Sequence, residues 1–408
     1  MKYRRASLIR IVVAAAVCWA GAGPAAQASD IVVAKRAGKI AIDLSGIQLS
    51  MDQAAQTYQQ VLSTSIARSG WLAPAQGDLA DYAVTGRVQF DGGAMRVQLQ
   101  VNQKSARRQV LSKSYSADAS GVRRIAHEAA DDILRAVTGQ RGFASSKLLM
   151  LGTRTGHKEL YISDSDGRGL QQLTNDRNIG VSPRWGHDNQ SVYYTSFLRV
   201  FSAIYRIDLN TRARSRVVNF AGLNTGGAVS PDGRDMAVIL SKDGNPDLYI
   251  MRISDGSLTR ITTTPRAVEA SPAWSPDGRE LVFVSDQAGT PHLFVVSRSG
   301  GTPRQLTTRG RQNVSPDWGP HGEIVYTSLV GGKFQVHVIN PRGGESRQLT
   351  SDHADHEDPT WAPNGRHIAI ARKGADYKSK VYLIDTMGDP PILLTDYDGD
   401  WYAPKWSR

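Results

Sequence analysis

A phrase of eight residues, Ser271-Pro272-Ala273-Trp274-Ser275-Pro276-Asp277-Gly278, recurs along the last two thirds of this 408-residue chain at a nearly fixed interval. Aligned on its tryptophan position, the series runs Trp185, Val229, Trp274, Trp318, Trp361 and Trp406, with steps of 44, 45, 44, 43 and 45 residues. A period in this range, filled by short β-branched and aromatic segments between turn formers, specifies the blade of a β-propeller. Two further series keep the beat: one from Glu159-Leu160-Tyr161 to Lys380-Val381-Tyr382, the other from Leu173-Thr174 to Leu394-Thr395. Each period reads as four strands, near 269–274, 280–285, 292–296 and 304–307 in the clearest copy. Ser-Pro-Asp-Gly supplies the first turn, because Pro fixes φ, Asp bonds its own backbone and Gly tolerates positive φ.

The ends of the repeat predict how the ring closes. The first copy enters at a second strand, at Lys147, without a Trp phrase before it, and the last copy is a lone first strand, Tyr402 to Trp406. Pairing the two makes a sixth blade and hides the edges that would otherwise recruit other chains.

Residues 1–28 read as an export signal: Lys2, Arg4, Arg5 and Arg10, an apolar run from Ile11 to Ala20, and Ala26-Gln27-Ala28 as a cleavage site. The run is too short for a stable membrane anchor, so no direct membrane insertion is expected. The only cysteine, Cys18, lies inside it, which leaves the exported chain without a disulfide or a thiol nucleophile. The formal charge is +11, and removing the four basic residues of the signal leaves +7. Without blocks of like charge or a basic-aromatic stripe, that excess describes a soluble surface and not a nucleic-acid binder.

Residues 29–145 have a different texture and read as a small α/β domain, followed by a six-bladed all-β propeller over 146–408 that is closed by N- and C-terminal strands. The expected elements are a strand at 39–44, a helix opened by Ser50 with Gln53 as a capping box and running to Arg68, strands at 81–90, 94–101 and 108–115, and a helix from 121 to 138 capped by Gly139. His127-Glu128 reads as a solvated helical pair, and Arg107-Arg108 and Arg123-Arg124 as surface residues.

Export signal, short α/β domain and six such blades together resemble the TolB family of the Tol-Pal cell-envelope system. The residues that carry the resemblance are Asp81-Tyr82-Ala83-Val84-Thr85-Gly86-Arg87-Val88, the Ile133 to Gly142 segment, Ser285-Asp286-Gln287-Ala288-Gly289 and Ala403-Pro404-Lys405-Trp406-Ser407. The resemblance implies a monomeric, non-enzymatic periplasmic protein without a cofactor. Its propeller would bind the lipoprotein Pal and its N-terminal tail would bind TolA, in support of outer-membrane integrity and constriction at division. Carried onto this sequence, the tail contact is Asp30, Ile31, Val32, Val33 and Ala34, in a stretch that is short and basic.

Strand order places the loops after the fourth strand (4–1) and between the second and third strands (2–3) on one face of the disk. That face is expected to carry Asp176, Arg177, Lys242, Asp243, Glu269, Asp286, Gln287, Arg311, Gln312, His353, His356 and Trp401 as a mixed polar partner surface, with Trp401 as its aromatic anchor. Two alternatives stay open. His353 and His356, among the carboxylates of Asp352 to Asp358, could hold a divalent metal as in propeller lyases, or the propeller could bind another envelope ligand. A peptidase reading lacks both a G-x-S-x-G elbow and room for a hydrolase domain.

Overall fold

A computed structural model describes residues 38–178, 180–198 and 201–408. The proposed export signal and the Asp30 to Ala34 tail lie outside the described residues. The first domain is a five-stranded sheet covered on one side by two helices. Its strands are β1 (Ile40–Leu49), β2 (Leu72–Pro74), β3 (Tyr82–Asp91), β4 (Ala94–Gln103) and β5 (Arg108–Asp118), in the order β2-β1-β3-β4-β5. β1 runs parallel to β2 and β3, and the rest pair antiparallel. The helices α1 (Gln53–Arg68) and α2 (Val122–Thr138) bury Tyr58, Leu62, Ile66, Ile125, Ala129 and Ile133 against Val84, Val97 and Leu99.

Two local expectations differ from the structure. The N-cap of α1 is Asp52, whose carboxylate accepts from the Ala55 N–H at 2.8 Å, while Ser50 donates to Asp52 and accepts from the Phe90 N–H. A carboxylate caps better than a hydroxyl here because it also meets the positive end of the helix dipole. β2 is absent from the sequence reading because three residues ending in Pro give no strand periodicity; the Pro is tolerated because the strand is an edge.

The propeller has six four-stranded antiparallel blades, and blade 1 joins Trp401–Trp406 to Lys147–Gly152, Glu159–Asp164 and Gln171–Gln172, as the orphan strands require. Blades 2 to 6 follow in order, with first strands Gly180–Trp185, Asn224–Val229, Glu269–Trp274, Asn313–Trp318 and Asp355–Trp361. The tryptophan series packs between blades: the Trp274 indole donates to the carbonyl of Ala228 in the preceding blade, and Trp185 to that of Lys405, both at 2.8 Å. Ser275-Pro276-Asp277-Gly278 forms the expected turn, with Gly278 at φ 70°.

The Ser-Pro that precedes the Trp is no turn. It is a bulge inside the innermost strand, where Ser182, Ser271, Ser315, Asp358 and Ala403 all take φ between 46° and 54° and Gly226 takes φ 100°. At each of these sites the pairing to the second strand skips, as between Ala270 and Ala273. The bulge breaks the two-residue alternation. Residues one, three and four before the Trp position face the channel, and the residue five before it turns into the blade.

Candidate functional site

The register of the bulge decides which predicted face residues can meet a partner. Glu269, His356 and Trp401 all stand five residues before their tryptophans, in the same position as Asn224 and Asn313, and all five side chains are buried. This position locks the loops onto the blade. Asn224 bonds the carbonyls of Ser202 and Phe220, Asn313 that of Arg309, and His356 Nε2 lies 2.6 Å from Asp352 Oδ1. Trp401 is fully buried against Gly152 and Tyr161 and cannot serve as the exposed anchor. These three residues therefore leave the expected contact surface.

The other nine predicted residues do sit on the 4–1 and 2–3 loops. Arg177, Lys242, Asp243, Gln287, Arg311 and His353 are exposed, whereas Asp176, Asp286 and Gln312 are half-buried. Several are already engaged: Asp176 receives Arg214 at 2.6 Å, Asp243 receives Lys242 and the Tyr249 hydroxyl at 2.7 Å, and Asp286 accepts from the Val268 N–H. Absent from the sequence reading are four apolar side chains on or beside the 2–3 loops: Leu198, Phe201, Val330 and Tyr377, of which the aromatics Phe201 and Tyr377 are 50% and 61% exposed. They carry no repeat signal, since each 2–3 loop differs in length and composition, so only the fold collects them on one face.

His356 is committed to Asp352, whose other oxygen takes Arg372 at 3.0 Å. Burial opposes ionisation of Asp352, yet the His356 bond and Arg372 hold its carboxyl well below the usual range. Among the described residues, no group of three or more metal-ligand side chains forms around His353 and His356. The group that does meet such spacing is His127, Asp164 and Asp166 at the domain junction, and there the Arg123 guanidinium already bonds both carboxylates.

Glu269 carries a testable consequence. One carboxyl oxygen accepts from Thr264 and Ser285 and the other has no partner, so burial, reinforced by Asp247 and Asp286, pushes the group up to about 7. The folded state then holds this proton more tightly than the unfolded chain, and the associated stability is complete below about pH 4.5 and lost as pH rises to about 7. Glu269→Gln is expected to remove about 3 kcal/mol of that pH-dependent loss, read from urea unfolding at pH 5 and pH 8.

The opposite face, bearing the 1–2 and 3–4 turns, is taken by the first domain. Arg123 on α2 reaches Asp164 at 2.6 Å and Asp166 at 2.7 Å in the 3–4 turn of blade 1, and Lys39 pairs with Asp389 at 2.7 Å. Arg366 from a 1–2 turn lies 4.7 Å over the Trp71 ring, and Phe143 stands edge-on to Trp406. His127 is buried in this junction and shares a 2.9 Å hydrogen bond with Ser65. Arg123 and His127 are therefore interdomain groups and not solvated ones, because α2 presents to the propeller the face that the sequence alone could assign only to solvent.

A family profile described as the TolB beta propeller domain matches residues 134–408. A protein TolB homolog of Chlorobium luteolum is 30% identical over 198 residues, 48% of this chain and 44% of that protein. A Tol-Pal system protein TolB of Anaeromyxobacter dehalogenans is 33% identical over 195 residues, again 48% of this chain and 44% of that protein. The chain thus aligns with less than half the length of these curated relatives. The crystal structure of TolB from Acinetobacter baumannii superimposes with a TM-score of 0.80 at 24% identity, covering 92% of this chain and 98% of that one, and so shares the fold of both domains.

Proposed function

Because this chain belongs to the TolB β-propeller family, we propose that it acts without catalysis as a periplasmic adaptor of the Tol-Pal system, with the 2–3 and 4–1 loop face of its propeller as the docking surface for Pal. The observation that carries the reading is the gathering of Phe201, Tyr377, Leu198 and Val330 on the face that the first domain leaves free. Exposed aromatics amid Arg177, Lys242, Gln287, Arg311 and His353 match the make-up of a reversible protein interface, with apolar anchors inside a polar rim. The nine predicted residues on these loops are the proposed rim. The segment Asp30 to Ala34 is the proposed TolA contact. The Lys39–Asp389 ion pair supports a tail that starts at the domain junction, on the side away from Pal.

Phe201→Asp combined with Tyr377→Asp is expected to weaken binding of the Pal periplasmic domain by roughly 30-fold or more, measured by calorimetry, because each substitution removes an anchor and adds a desolvation cost. Unchanged affinity in a normally folded double variant would place the contact elsewhere.

A further inference from the structure

We propose that the end of the propeller channel facing the first domain is a binding site for a small oxyanion, a phosphate or carboxylate group held between Arg184 and Lys405. The residues one before the tryptophan series form a ring around the channel: Arg184, Ala228, Ala273, Asp317, Thr360 and Lys405. They line a cavity of about 250 Å³ walled by Trp274, Trp318, Trp361, Trp406 and prolines of the repeat.

The two cations of this cavity make no direct ion pair, and the carboxylates near them, Asp317 and Asp358, act only through space. Asp317 is the carboxylate of the ring, and it already accepts from the Thr360 hydroxyl at 3.0 Å and from the Trp361 N–H at 2.8 Å. Arg184 donates to the carbonyl of Pro183 at 3.1 Å, and among the described residues neither Arg184 nor Lys405 has a carboxylate within ion-pair distance. Arg141 and Arg408 add positive charge at the rim. Burial pulls the Lys405 ammonium down to about 8, even with Asp317 and Asp358 near enough to oppose the shift. Cations between indole and proline walls without a directly bonded counter-charge are costly to hold. A guanidinium fork beside an ammonium offers an oxyanion both bidentate and point-charge recognition.

Two further observations point to a ligand. The indole N–H groups of Trp361 and Trp406, both cavity residues, are buried without an acceptor among the described residues, and an indole can only donate. The cavity also shares Arg141, Trp185, Ser407 and Arg408 with an interdomain cleft of about 570 Å³, which provides an entry path. The site lies at the mouth opposite the proposed Pal surface, so the two stand or fall separately.

The test is titration of the full exported chain with inorganic phosphate and, in a second arm, with acetate, at ionic strength fixed by sodium chloride. Tryptophan fluorescence and calorimetry supply the readouts. Saturable binding in one arm and not the other identifies which oxyanion the site takes. Arg184→Gln and Lys405→Met are each expected to weaken it about tenfold or more, and Asp317→Asn to tighten it several-fold by removing the local negative charge. Both cation variants delete a buried charge that makes no direct ion pair and are expected to keep the parent fold, read from circular dichroism before titration. No saturable response to either anion beyond that to chloride would overturn the proposal, as would variants that bind like the parent.

Discussion

Replacing Trp401 by Ala is expected to lower the unfolding free energy by about 3–5 kcal/mol, the range for deleting a large buried aromatic side chain. The side chain is fully buried, with its ring 5.0 Å from that of Tyr161 in an edge-on arrangement and 5.9 Å from that of Tyr397. Its backbone partner is Gly152, where a Cβ would stand 2.5 Å from the indole, so no other residue leaves room for the ring. Trp401 begins the one strand that closes the propeller, and the carbonyl of Trp401 also accepts from Ser379 in blade 6 at 2.8 Å. The loss therefore falls on ring closure, and the midpoint of thermal unfolding is expected to drop by roughly 5–10 °C. Gly152→Val attacks the same contact from the other side and is expected to cost a comparable amount. Affinity for Pal per folded molecule should not change, which separates a packing role from an interface role.

The second large effect is expected at the domain junction. Arg123→Ala leaves Asp164 and Asp166 facing the first domain without the guanidinium that bridges them; Lys147 still reaches Asp164, but Asp166 has no other ion pair among the described residues. Breaking a largely buried charge pair from one side costs about 2–4 kcal/mol here, toward the low end of the buried range because Arg123 is partly exposed. Arg123→Lys is not expected to restore it, since an ammonium cannot span two carboxylates as a planar fork does. The predicted readout is an earlier, separate unfolding transition of the first domain by calorimetry and faster proteolysis between Gly139 and Lys147. A single transition at the parent temperature would assign the docking to the Arg366–Trp71 and Phe143–Trp406 contacts instead.

What could be read from the chain follows from which constraints repeat. Blade count, blade closure and the interblade role of the tryptophans were legible because six copies of one phrase report them together. The bulge was hidden, since Ser-Pro also begins a turn elsewhere in the same phrase and only the φ values separate the two uses. That one ambiguity misplaced Glu269, His356 and Trp401. Without the bulge, a residue five before the Trp falls on the opposite side of a strand; with it, the parity reverses and the side chain turns inward. All three share a register with Asn224 and Asn313, and that shared position carries their common burial. Phe201 and Tyr377 left no comparable trace, because loop residues that converge only in space have no period. The interdomain groups Arg123 and His127 were misread for a related reason: an amphipathic helix announces one buried face, and the propeller claims part of the other.

Hydrogen–deuterium exchange of residues 29–408 with and without the Pal periplasmic domain tests the proposed binding face most directly. The expected result is protection confined to the 2–3 and 4–1 loops, in peptides carrying 175–178, 201–203, 241–246, 286–291, 309–313, 330–333, 351–354 and 374–378, with the 1–2 and 3–4 turns unchanged. Protection restricted to the first domain or to the 1–2 and 3–4 turns, or no protection at saturating Pal, would contradict it.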